Sequence, residues 1–175
     1  NREPHSTISI KLMRPSGTID NVELKLGVRP TSKELVRNKY LNKKAPNLDL
    51  IDVLDGSEVN LKAFDGRVVL LEFWATWCGP CIKAMPAIQA LSKKYKEQGL
   101  SVIGVSHEKK SKVNAFLKKR TSSYSMAVVP PDALNDYQIT SYPTLMLIDR
   151  RGVIVDVHFG AGGLNELEKQ IIGLL

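Results

Sequence analysis

From residue 45 onward the chain switches between two hydrophobic rhythms. Positions 48–54 read as a strand that stops at the turn D-G-S, and 67–74, R-V-V-L-L-E-F-W, are apolar almost without a break. A run of β-branched, aliphatic and aromatic residues of that length predicts a central strand buried on both faces. Over 80–98 the apolar positions Ile82, Met85, Ile88 and Leu91 recur at helical spacing, and Gly99 supplies the stop. A second central strand is predicted at 100–106 and a helix at 112–120. A short extended piece at 124–129 and a short helix at 132–137 follow. Strands at 144–149 and 153–158 flank the turn R-R-G, and a closing helix occupies 164–174. Strands alternating with helices predict an α/β domain.

The first 44 residues have a different pattern. Two alternating stretches, 8–14 and 21–28, are separated by the turn cluster P-S-G-T and predict a β-hairpin. Residues 31–41 open with a capping box, Thr31 to Glu34, and predict a short helix. The expected division is therefore an N-terminal hairpin-and-helix extension over 1–44 and an α/β domain over 45–175. A lone hairpin is marginal in water, so the extension is expected to pack on the main domain or to continue something larger.

Composition narrows this only a little. A chain of 175 residues, 43% hydrophobic, is long enough to bury a real core. No apolar run approaches the roughly 18 residues of a membrane helix. The opening N-R-E-P-H-S lacks the apolar stretch of a signal peptide. The net charge of +7 raises the question of a nucleic-acid partner. The lysine pairs at 43–44, 93–94, 109–110 and 118–119 are dispersed, aromatic residues are not interleaved with them, and no nucleic-acid motif is present. They are expected to be solvated helix faces, with no nucleic-acid partner.

The candidate chemistry lies in W-A-T-W-C-G-P-C at 74–81, which holds the only two cysteines, Cys78 and Cys81. As a structural staple the pair would close almost no loop, and the stabilisation from cross-linking grows with loop length. As half of a zinc site it lacks partners: there is no second cysteine pair, and His5, His107 and His158 show no ligand spacing. No metal is expected, and each histidine is read as an ordinary surface or strand-end residue. Redox chemistry fits better. Cys78 stands where a buried strand feeds the first turn of a helix, and unpaired backbone N–H groups and the helix dipole there favour a thiolate. Pro80 suits the helix start, Gly79 keeps the approach to Cys78 open, and Cys81, one turn along, is placed to attack a mixed disulfide on Cys78.

Two further residues bear on that reading. Glu72 lies in the apolar strand between Leu71 and Phe73, where a buried acid is costly unless it has a role. It is either a proton relay for Cys81 or an acid that strand alternation turns to solvent or pairs with a lysine. Pro143, in S-Y-P-T at 141–144, must occupy a turn or strand start, because proline cannot sit within a central strand.

The segments L-L-E-F-W-A-T-W-C-G-P-C, Pro86 five residues on, and D-Y-Q-I-T-S-Y-P-T-L at 136–145 resemble the thioredoxin superfamily in order and spacing. Within it the chain looks most like the TlpA/ResA type, through K-A-P-N-L-D-L, D-G-S-E-V-N-L-K-A-F-D-G and the insert at 108–134. The resemblance implies a thioredoxin fold, a central mixed β-sheet flanked by helices. It implies Cys78 as nucleophile, Cys81 as resolving cysteine, Glu72 at the buried-acid position and Pro143 as the cis-proline facing the disulfide. Trp77, Gly79, Pro80 and Tyr142 are then expected at the substrate, with Tyr142 offering backbone polar groups to an extended segment. The implied activity is a protein-disulfide reductase without cofactor. It would be a monomer outside the cytoplasm, fed by an upstream electron donor and held by an anchor outside these residues; a cytoplasmic place stays open. The chain departs from that type in its C-G-P-C dipeptide and its N-terminal hairpin. The run R-P-S-G…V-E-L-K-L-G-V-R-P instead resembles the last two strands of a PDZ domain. Two alternatives follow. Residues 1–44 could make the chain an interaction or targeting module with secondary redox chemistry. A thiol peroxidase is less well matched, since that chemistry needs P-x-x-x-T-x-x-C and Thr76 stands two residues before Cys78 instead of three.

Overall fold

A computed structural model describes residues 6–120 and 122–175. The chain divides into two compact units, residues 1–31 and 32–175. In the first, β1 (Thr7–Met13) and β2 (Ile19–Lys25) form the antiparallel hairpin expected from the alternating pattern, with Ile8 opposite Leu24 and Ile10 opposite Val22.

The second unit begins with α1 (Ser32–Tyr40). The sequence pattern groups this helix with the extension, yet its buried Val36 and Tyr40 lie in the core of the α/β unit. Arg37 Nη2 reaches Asp156 Oδ1 at 3.0 Å and the Val157 carbonyl at 2.9 Å, which ties the helix to the far edge of the sheet. There follow β3 (Asp49–Asp52), β4 (Glu58–Asn60), β5 (Val68–Phe73), α2 (Gly79–Tyr95), β6 (Leu100–Ser106), α3 (Lys110–Leu117), β7 (Ser125–Val128), α4 (Ala133–Asp136), β8 (Thr144–Ile148), β9 (Ile154–Phe159) and α5 (Leu164–Leu174).

The seven strands of this unit form one sheet in the order β4-β3-β7-β6-β5-β8-β9. The inner strands β5, β6 and β7 run parallel, and β8 and β3 close on them antiparallel, so the sheet is mixed as expected. Each face carries its own core. Val68 and Leu70 of β5, with Trp74 just after it, point to the face covered by α2, α3 and α5; Val69, Leu71 and Phe73 point to the face covered by α1 and α4. That two-sided burial explains why β5 is apolar throughout. It also assigns Glu72, by alternation, to the face that carries α2.

Helix α2 starts at the cysteines and ends through a short 3-10 turn, Lys96–Gln98, at Gly99. Gly99 has φ of 108°, a left-handed conformation that suits glycine and stops the helix as expected. Pro86 lies inside α2 and has no N–H to offer the carbonyl of Ile82.

Candidate active site

The site is built where β5 ends and α2 begins. Cys78 is the N-cap of α2, with extended backbone (φ −80°, ψ 96°), and its Sγ accepts the Cys81 N–H at 3.2 Å. Pro80 falls in the first turn, where a missing N–H costs nothing. A side chain added at Gly79 would meet open space, in keeping with an unobstructed approach. Cys78 and Cys81 are joined as a disulfide. Their burial differs in the way the exchange requires: Cys78 is 4% exposed and Cys81 is fully buried, so an external sulfur can reach only the first. On reduction the Cys81 N–H and the positive end of a 17-residue helix are already aimed at Cys78 Sγ.

The Tyr142–Pro143 peptide is cis, and Pro143 immediately precedes β8, so it takes the strand-start position proline allows. Tyr142 stacks edge-on to Trp77 (ring centroids 5.6 Å, interplanar 79°). On its other side it lies parallel to His107 (5.8 Å, 9°), with Tyr142 Oη 3.0 Å from His107 Nδ1. Trp77 is 64% exposed, an unusual state for so large an apolar surface. The expected Trp77 and Tyr142 are thus brought together, and His107, read from sequence as an ordinary strand-end residue, joins them.

Glu72, on the face of the sheet that carries α2, is fully buried rather than turned to solvent. Its Oε2 accepts the Tyr124 hydroxyl at 2.6 Å, while Oε1 has no partner among the described residues. Burial pushes its carboxyl up to about 7; the Tyr124 hydrogen bond opposes this only in part. Burial, then the Glu72 charge, raises Tyr124 well above the ordinary phenol value, so it remains a neutral donor.

A second acid escaped sequence reasoning. Glu108 accepts the Thr76 N–H at 2.6 Å and the Thr76 hydroxyl at 2.9 Å, and Lys112 Nζ lies 2.6 Å from its Oε1. Burial alone would raise its pKa, but Lys112 and the two Thr76 donors outweigh it and hold the carboxyl below its ordinary value. Glu108 therefore stays ionised and fastens the loop before Cys78 to the start of α3. One signal was available: Glu108 follows the C-terminal end of a parallel strand, where α/β sheets place their sites. No group of three or more His, Cys, Asp and Glu that could hold a metal occurs among the described residues.

The family profile described as Redoxin matches residues 41–171. The chain belongs to the Redoxin family. Among curated members similar to this Redoxin chain, the thioredoxin-like protein YneN of Bacillus subtilis is 37% identical over 132 residues, 73% of this chain and 76% of the relative. A thiol-disulfide oxidoreductase ResA of Bacillus thuringiensis is 34% identical over 133 residues, 75% of this chain and 76% of the relative. Among solved structures, a putative thiol:disulfide interchange protein DsbE from Chlorobium tepidum superposes with a TM-score of 0.71. It is 32% identical and is matched over 77% of this chain and 96% of that one. The chemistry of this Redoxin protein is thiol–disulfide exchange at Cys78 and Cys81.

Proposed function

We propose that this chain is a protein-disulfide reductase acting on proteins outside the cytoplasm. In the reduced enzyme the Cys78 thiolate attacks one sulfur of a substrate disulfide. The substrate bond breaks, its leaving thiolate takes up a proton, and a Cys78–substrate mixed disulfide remains. Glu72 then accepts the Cys81 proton, and the Cys81 thiolate attacks Cys78 Sγ. The second substrate thiolate leaves, the Cys78–Cys81 disulfide forms, and two electrons have passed to the substrate. An upstream dithiol donor restores the pair.

The observation that carries this reading is the paired asymmetry of the sulfurs. One lies at the helix N-terminus, directly after an exposed tryptophan in the chain, and the other is sealed on the face that carries a buried acid. Trp77, Tyr142 and Pro143 form the wall against which an extended substrate segment docks, and Gly79 and Pro80 leave the sulfur open. The reducing direction, the place outside the cytoplasm, an anchor beyond these residues and a monomeric state rest on the resemblance to the TlpA/ResA type. No helix among the described residues is long and apolar enough to cross a membrane.

Insulin reduction tests the assignment. Cys78→Ser should fall to the uncatalysed rate, because the attacking sulfur is gone; undiminished turnover in that variant overturns the proposal.

A further inference from the structure

A base buried as deeply as Glu72 must exchange its proton with water once per turnover, and its surroundings leave few routes. On the two flanking strands its register partners are Gly104 and Leu145, neither of which titrates. Helix α2, over the same face, brings Cys78 and Cys81; its Tyr95 hydroxyl is bonded to Glu168 at 2.7 Å. Helices α3 and α5 contribute Val113, Leu117, Leu167 and Ile171 to this core, all apolar. Among the described residues the titratable group hydrogen-bonded to the carboxyl is Tyr124, which stands just before β7.

We propose that Tyr124 is the positioning residue through which Glu72 works: its hydroxyl holds Oε2, leaves Oε1 free for the Cys81 proton, and passes that proton on to solvent. The proposal rests on the role given to Glu72 above.

Three features of Tyr124 support it. The hydroxyl is 2.6 Å from Oε2, short enough for charge-assisted hydrogen bonding. The backbone that carries it is fixed by Ser122, whose Oγ donates to the Tyr124 carbonyl at 2.9 Å and accepts the Tyr124 N–H at 3.2 Å. The residue also forms part of the wall of two solvent-open cavities, about 490 and 130 Å³, each lined as well by Ser123 and Ser125. Tyr124 thus both bonds Glu72 and lines space open to water.

The proton balance closes without any tyrosinate. Cys81 gives its proton to Glu72, and the neutral acid turns its O–H onto Tyr124 Oη. As it does so, the hydroxyl's own proton moves to water. Glu72 ends as a carboxylate, Tyr124 ends neutral as it began, and no electron moves. Burial that raises the phenol well above its ordinary value is compatible with this concerted transfer and would disfavour a stepwise one.

The test uses the whole chain and follows resolution of a Cys78 mixed disulfide against pH. It is paired with direct titration of the Glu72 carboxyl by carbon-13 NMR. The Tyr124 hydrogen bond favours the ionised carboxyl, so Tyr124→Phe should move the Glu72 midpoint upward from about 7 by about one pH unit. That leaves about tenfold less carboxylate at pH values below the original midpoint, and the resolution profile should shift with it. A profile and midpoint like those of the wild type in Tyr124→Phe overturn the proposal, and if Glu72→Gln abolishes the same pH dependence, the role of Glu72 stands without Tyr124. A wild-type profile in Glu72→Gln overturns both. Should Tyr124→Phe fail to fold, 3,5-difluorotyrosine at position 124 supplies a more acidic donor of nearly the same shape. It should move the Glu72 midpoint downward, and an unmoved midpoint overturns the proposal.

Discussion

Glu72 shows what one buried acid costs in stability. An unfolded glutamate titrates near 4.5, and burial on the α2 face of β5 takes this one to about 7. Below pH 4.5 the carboxyl is neutral in both states and costs nothing. Between 4.5 and 7 the folded protein retains a proton that the unfolded chain has released, so stability falls as pH rises; above 7 the loss is complete. The full penalty is about 3 kcal/mol, because raising a carboxyl's midpoint by one pH unit costs about 1.4 kcal/mol. Glu72→Gln removes the titration and keeps an acceptor for Tyr124. Urea unfolding of the oxidised proteins should therefore show a stability difference that is constant below pH 4.5. It should then move in favour of the variant up to about pH 7, and stay level beyond. A difference that does not change with pH would mean that this carboxyl is not held neutral by burial.

At the scale of elements, the site depends on how closely β5 and β6 approach beside that acid. Gly104 is the register partner of Glu72, and a Cβ added there would stand 2.5 Å from Met126 Sδ and 3.0 Å from Trp74 Nε1. The methionine thioether can swing aside. Trp74 cannot, since it is fully buried and packed against Phe116 with ring centroids 5.4 Å apart. Gly104→Ala should accordingly cost about 1–3 kcal/mol as overpacking, read as a lower denaturant midpoint at unchanged slope. These same elements explain what could be read from the chain. The strands 67–74 and 100–106 were legible because burial on both faces leaves a continuous apolar run. Strand β4 was not: its three residues, E-V-N, form an edge and owe their conformation to pairing with β3. Local spacing left open whether Glu72 is buried, and only the family resemblance implied a cis Pro143; the cysteine pair itself was legible. Contacts of Thr76 with Glu108, Tyr142 with His107 and Tyr124 with Glu72 were not. Each joins residues 32 to 52 positions apart in sequence, and no periodicity marks a partner chosen by the topology of the sheet.

For the whole molecule, the division of the chain decides where activity resides. Both hydrophobic cores, the Cys78–Cys81 disulfide, Glu72, Tyr124, Glu108 and the Trp77–Tyr142–His107 group all lie within residues 32–175. The family match begins at residue 41. Helix α1 belongs with this unit through Val36 and Tyr40, so a cut made after residue 44 would remove two side chains from the core. Burying an aromatic and a valine contributes roughly 1.5–3 kcal/mol each, enough to weaken a domain of this size. A cut after Thr31 removes none of the core. The protein lacking residues 1–31 should unfold in one cooperative transition and reduce insulin within about twofold of the full chain, as a unit with its own core folds alone. The protein lacking residues 1–44 should melt earlier. If removal of residues 1–31 alone cost more than about tenfold in turnover with the melting transition intact, the hairpin would be part of the substrate-binding apparatus, and the reductase would extend across both units.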